Sequence, residues 1–110
     1  MANQQESHQR PRLSISELTT YRWTFDEDVY HYRQMGISAL GVWRQKLADF
    51  GEDKGRELLV DSEMDVSSVF WAGGFTGSDG RNQRESLADA CEAIELAAFL
   101  EASCLLVYTG

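Results

Sequence analysis

The segment Ile37–Trp43, ISALGVW, is apolar almost throughout, with only Ser38 and Gly41 breaking the run. A strand wetted on one face would alternate apolar and polar side chains. A near-continuous run of this length instead marks a strand covered on both faces, as in parallel sheets whose strands are joined by helices. Three other short runs also read as strands: Leu13–Thr19 (LSISELT), partly β-branched and alternating at Leu13, Ile15 and then Leu18, Val66–Trp71 (VSSVFW), and the buried run Cys104–Tyr108 (CLLVY).

What lies between these runs is helical in pattern. Thr24-Phe25-Asp26-Glu27 fits the S/T-x-x-E capping box, and Phe25, Val29 and Tyr32 follow at i, i+4 and i+7, with Gly36 placed as a left-handed residue past the helix end. Arg44–Gly51 reads as a loop, and a second helix is expected over Glu52–Glu63, where Leu58 and Leu59 form a narrow stripe that Gly55 weakens. A third helix, Asn82–Ala102, carries Leu87, Ala90, Cys91, Ile94, Ala97 and Ala98 at helical spacing, which predicts that this face meets the core. The order is βαβαβαβ, an α/β chain with a parallel sheet and right-handed crossovers. Periodicity leaves open whether such a sheet is doubly wound or closed as a barrel.

Charge and composition remove several function classes. Eighteen acidic against ten basic residues give a net charge of −8, which repels nucleic-acid phosphates and anionic lipid, and the one basic cluster, Arg44–Lys46, is loose. No nucleic-acid or membrane partner is expected, and no run approaches the ~18 apolar residues of a membrane span. Met1–Arg12 is polar, lacks the apolar centre of a signal peptide, and reads as a disordered leader to a domain over residues 13–110. Cys91 and Cys104 sit in apolar surroundings without CxxC spacing, as reduced core thiols of a cytoplasmic protein would. His8 and His31 are the only histidines, too few for a His-rich metal cage.

Ligands of parallel α/β folds meet the carboxyl ends of the strands. Here that rim is Thr19–Trp23, Trp43–Lys46, Trp71–Gly80 and Tyr108–Gly110, and it takes in all three tryptophans of the chain. Trp23, Trp43 and Trp71 are therefore candidates to stack on a sugar or other flat ligand, with packing beneath the loops as the alternative. Arg44 is placed to hold a phosphate, carboxylate or sugar hydroxyl, or else to pair with Asp49 or Glu52. The loop SSVFWAGGFTGSDGR, residues 67–81, is no Walker loop, since Arg81-Asn82 follows Gly80, and no three of its glycines give the dinucleotide spacing. Gly73 and Gly74 instead mark backbone that approaches a ligand or a neighbouring loop closely. Glu17, a lone carboxylate on the first strand, reads as a satisfied structural group rather than a general base. No catalytic residue and no metal ligand can be named.

Three stretches together resemble the N-terminal half of the xylose isomerase-like TIM-barrel superfamily, which holds sugar phosphate isomerases and epimerases and the family 2 apurinic endonucleases. They are Thr20–Asp28 (TYRWTFDED), Met35–Ile37 leading to Gly41–Lys46 (GVWRQK), and Val69–Gly77 (VFWAGGFTG). The resemblance implies half of a (β/α)8 barrel whose complete form binds a divalent metal, Mn, Mg or Zn, and moves a proton on a sugar or sugar phosphate. It also implies that Trp23, Trp43, Arg44, Trp71, Gly73 and Gly74 belong to the substrate rim. The family's metal ligands lie on later strands, so the chain is expected to bind no cofactor itself and to be a fragment inactive alone. A barrel takes ~250 residues, and half of one leaves both outer strands unpaired, which predicts a second half barrel or self-association through strand edges. The competing expectation is a small open, flavodoxin-like binding module without catalytic activity. A nuclease relative is disfavoured by the acidic balance.

Overall fold

A computed structural model of the chain describes residues 12–77 and 80–109. Along it run β1 (Ile15–Ser16), α1 (Phe25–Gln34), β2 (Ala39–Trp43), α2 (Arg44–Phe50), α3 (Glu52–Asp61), β3 (Asp65–Gly73), α4 (Gln83–Phe99) and β4 (Leu105–Tyr108). The strands form one four-stranded sheet in the order β1-β2-β3-β4, every neighbouring pair parallel. The α/β class, the parallel sheet and its alternation with helices are as the sequence predicts. Spatial order equals chain order, so the sheet is wound in one direction with no point of reversal. Residues 1–11 of the expected leader lie outside the described residues. Arg12 is described, and its guanidinium pairs with exposed Asp65 at 2.8 Å.

The core lies between the sheet and its helices. Phe25, Val29 and Tyr32 of α1 meet Leu40 and Val42 of β2, Leu47 of α2, Leu59 of α3, Val66 and Val69 of β3, and Leu96 of α4. The capping box at Thr24 forms, with Glu27 Oε1 accepting the Thr24 amide at 2.8 Å. That bond holds the Glu27 carboxyl below its usual range.

Five expectations are corrected. Arg44–Phe50 is a helix, not a loop. It buries only Lys46 and Leu47, and two buried positions in seven residues are too few for periodicity to show. Gly51, at φ 114°, ends α2 and starts α3 in the same residue. Gly55 does not interrupt α3. It is buried, and a Cβ there would collide with Leu47 Cδ1 and touch Phe25, so its bareness lets α3 pack on α2 and α1.

The third correction concerns α4, whose core face is Ser86, Ala93 and Leu96, not the Leu87–Ile94 stripe. Leu87 is 51% and Ile94 59% exposed. The small residues face the sheet because α4 lies close on β3, where Ser86 Oγ donates to the Gly74 carbonyl at 3.2 Å. A leucine in that position would hold the helix off. Cys91, on the outward face, and Cys104, at the sheet edge, are exposed rather than core thiols. Lastly, β1 is two residues long instead of seven, and its position depends on a side-chain network described below.

Candidate functional site

The carboxyl ends of β2, β3 and β4 open onto a cleft of about 450 Å³. Trp43 ends β2, Arg44 begins α2, Trp71 and Gly73 stand at the end of β3, and Tyr108 ends β4; all five line the cleft. Trp71 is 44% exposed, an unusual state for the largest aromatic side chain in a strand. Four of the six predicted rim residues, Trp43, Arg44, Trp71 and Gly73, are thus brought together.

Arg44 is held by a partner that its sequence neighbours do not reveal. Its two terminal nitrogens donate to the two oxygens of Asp89 on α4, both at 3.0 Å, and Nη1 also donates to the Trp71 carbonyl at 2.7 Å. Arg81 reaches the same carboxylate at 3.4 Å and donates to the Gly73 carbonyl at 3.0 Å. Neither Asp49 nor Glu52 pairs with Arg44, and Asp49 instead accepts from Gln45 at 3.0 Å. Hydrogen bonds from Arg44, and then those from Arg81, hold Asp89 below the usual carboxylate range. The planar fork matching a carboxylate is the rigid form of such a pair. It braces the rim rather than offering a free cation.

Trp23 lies elsewhere. It stacks on His31 of α1, ring centroids 4.4 Å apart, and lines a smaller cleft with Asp26, Asp49 and Phe50. The close approach of Gly73 and Gly74 is to the neighbouring strand end. Gly73 has φ 141°, and a Cβ on it would collide with the Tyr108 carbonyl, while the Gly74 amide donates to that same oxygen at 3.2 Å. Gly73 lines the cleft but Gly74 does not.

Beneath the β1–α1 loop lies a buried polar network that the sequence reading missed. Lys46 Nζ, from α2, donates to Asp28 Oδ2 at 2.6 Å and to the carbonyls of Glu17 at 3.0 Å and Thr20 at 2.8 Å. Thr20 Oγ1 donates to the other Asp28 oxygen at 2.6 Å and meets the Tyr32 hydroxyl at 2.5 Å. Glu17 is wholly buried; Oε1 accepts the Trp43 amide at 2.9 Å and Oε2 has no hydrogen-bond partner. Glu17 is therefore only half satisfied, against expectation. Burial, and then the adjoining Asp28 carboxyl, push its pKa up to about 9, so it keeps its proton at neutral pH. Burial likewise lifts Tyr32 to about 12. One signal was legible: Asp28 shares the apolar face of α1 with Phe25, Val29 and Tyr32, and a carboxylate there needs a buried partner.

Among the described residues, no three His, Cys, Asp or Glu side chains come together in a way that could hold a metal ion. No helix among them is long and apolar enough to cross a membrane.

No protein-family model matches the chain, and no curated protein matches it. Among solved structures, that of protein SMc04130 from Sinorhizobium meliloti 1021 is similar, with a TM-score of 0.83 and 26% identity over 90% of this chain. The match covers 36% of that protein. The chain thus spans about a third of the longer protein it resembles.

Proposed function

We propose that the chain is the N-terminal arc of a (β/α)8 barrel of the sugar isomerase/epimerase kind, and that its cleft binds the uncharged, hydroxylated part of a sugar. The observation that carries this reading is the exposed Trp71 ring beside Trp43 at the strand ends, in a cleft whose wall mixes apolar side chains such as Phe70 and Leu96 with the polar groups of Arg44, Gln45, Glu52 and Glu92. Sugars are recognised in this way, with an apolar ring face on an aromatic and hydroxyls on fixed polar groups. The one-directional strand order supports a barrel arc over a flavodoxin-like sheet, in which the order reverses and the ligand sits at the reversal. Similarity to about a third of a longer solved protein is compatible with an arc of a larger fold.

The charges favour an unphosphorylated sugar. Arg44 and Arg81 line the cleft with Asp89, Glu52 and Glu92, three carboxylates to two guanidiniums, and the fork of Arg44 is already filled. A phosphate would have to displace Asp89. Among the described residues, no group of side chains fits the divalent metal of complete family barrels, so no step is derived through one. What these residues do is bind and orient. The proton transfer belongs to strands outside this arc, since Glu17 is shielded beneath the loop. Exposed, unbridged Cys91 and Cys104 agree with a reducing, cytoplasmic setting.

Tryptophan fluorescence with neutral ketoses and aldoses, and with their phosphates, tests the reading. Neutral sugars should quench emission at millimolar concentration, Trp71→Phe should abolish the change, and the phosphates should bind more weakly. Tighter binding of phosphates, or no response to any neutral sugar, would contradict it. So would isomerisation of a ketose by the 110-residue chain alone with Mn²⁺ or Mg²⁺.

A further inference from the structure

Glu17 is the first residue past β1, and its side chain occupies a place that belongs to backbone. Ile15 pairs with Leu40 and Ser16 with Gly41, and the Glu17 amide donates to the Gly41 carbonyl at 3.0 Å. In a parallel pair the next bond of that ladder joins the Trp43 amide to the Glu17 carbonyl. Here the Glu17 carbonyl accepts from Lys46 Nζ at 3.0 Å, and the Trp43 amide donates to Glu17 Oε1 at 2.9 Å. The carboxyl stands in for the carbonyl of its own residue. An apolar side chain would bury more easily at this position, but it would leave the Trp43 amide without an acceptor. Glu17 is wholly buried there even though Oε2 has no partner.

What this arrangement serves is Trp43, which ends β2, stands at the start of α2 with extended backbone, and lines the cleft. On one side of it, Arg44 is pinned to Asp89 and to the Trp71 carbonyl. On the other, its amide is pinned by Glu17. The Lys46 ammonium lies 5.9 Å from the centre of the indole and is itself bound to Asp28 at 2.6 Å. Buried network and cleft therefore meet in one residue. We propose that Glu17 is a positioning residue of the cleft: its carboxyl fixes the backbone at Trp43 and so fixes where the indole stands against a ligand. That a sugar meets the indole rests on the function proposed above; that Glu17 places the indole does not.

Nuclear magnetic resonance of the isotope-labelled chain tests the placement without any sugar. The titratable groups facing Glu17 are Asp28 and Tyr32 from α1 and Lys46 from α2. As pH rises through about 9, where Glu17 gives up its proton, its bond to Trp43 becomes charge-assisted and shortens. The Trp43 amide proton should then move downfield, and Glu17→Gln, which keeps an acceptor but cannot ionise, should abolish the movement. A Trp43 amide that ignores this titration, or follows it equally in Glu17→Gln, would overturn the assignment.

Tryptophan fluorescence with a neutral sugar reads the consequence. Glu17→Leu removes the acceptor at similar volume and should raise the sugar Kd about tenfold or more, whereas Glu17→Gln should keep it near the wild-type value. Leu59→Ala, which opens the core at the far end of the sheet beside Met64 and Val66, should lower stability and leave the Kd unchanged. Equal weakening by the leucine and glutamine variants, or by Leu59→Ala, would overturn the role of Glu17 in the cleft. If Glu17→Leu fails to fold, the amide titration decides. A wild-type chain that binds no neutral sugar would refute the proposed function, and Glu17 would then stand or fall on the amide titration.

Discussion

Replacing Glu17 by glutamine should make the protein more stable as pH rises, and leave it nearly unchanged in mild acid. Glu17 is fully buried, with one oxygen on the Trp43 amide and the other unpartnered beside Asp28, and its pKa stands at about 9 instead of 4.5. Because the folded pKa is raised, the native state holds a proton that the unfolded chain releases between those values. Stability from this group is therefore full below pH 4.5, falls as pH rises, and levels off above about pH 9. The slope is about 1.4 kcal/mol per pH unit, on the order of 3 kcal/mol lost by pH 7. Relaxation around the buried pair will reduce this, so a gain of about 1–3 kcal/mol for Glu17→Gln at pH 8 is the working figure. The glutamine carbonyl still accepts from Trp43, and its amide can donate to Asp28. Urea melts of both proteins from pH 5 to 9 measure the difference directly, since all other titrations cancel. Curves that stay parallel, or a variant less stable by about 2 kcal/mol at pH 5, would show that Glu17 is not held protonated.

The Lys46–Asp28 pair is buried at both ends, so Lys46→Met should cost about 3–5 kcal/mol in a urea melt. Asp28→Asn added to it should recover much of that loss. Gly55→Ala should destabilise by about 1–3 kcal/mol, although alanine favours a helix interior by about 1 kcal/mol, because its Cβ meets Leu47. A gain in stability would refute that packing. Gly73→Ala faces both a φ of 141° and the Tyr108 carbonyl. It should lower stability by about 1–3 kcal/mol, and hydrogen exchange should show the loss concentrated at the amides of Val107 and Tyr108.

The parts of the fold visible in the sequence are those in which one periodicity prevails. β2 is apolar because it is covered on both faces, and α1 shows its cap and its stripe. Helix α4 is legible as a helix, but its most hydrophobic stripe is not its core face, because hydrophobic count and closeness of approach conflict there. Leu87 and Ile94 carry more apolar surface, yet Ser86 and Ala93 let the helix reach β3. Strand-end logic brought Trp43, Arg44 and Trp71 to one rim correctly, since their positions follow from topology. It failed for Trp23, whose place depends on the course of a loop and on His31. The Arg44–Asp89 pair spans 45 residues, and no local pattern announces a contact between two helices that distant in the chain.

The two-residue first strand has a consequence for motion. So short a ladder holds little by itself, and the backbone around it is tied down by the Lys46 ammonium, which grips the carbonyls of Glu17 and Thr20 as well as the Asp28 carboxylate. A side chain on α2 thus replaces hydrogen bonds that a longer strand would have made. Segments held in this way open as small cooperative units well below the global unfolding free energy. The N-terminal edge and the loop carrying Trp23 should therefore exchange their amides as one unit, at a rate set by how often a single ammonium loses its oxygen partners.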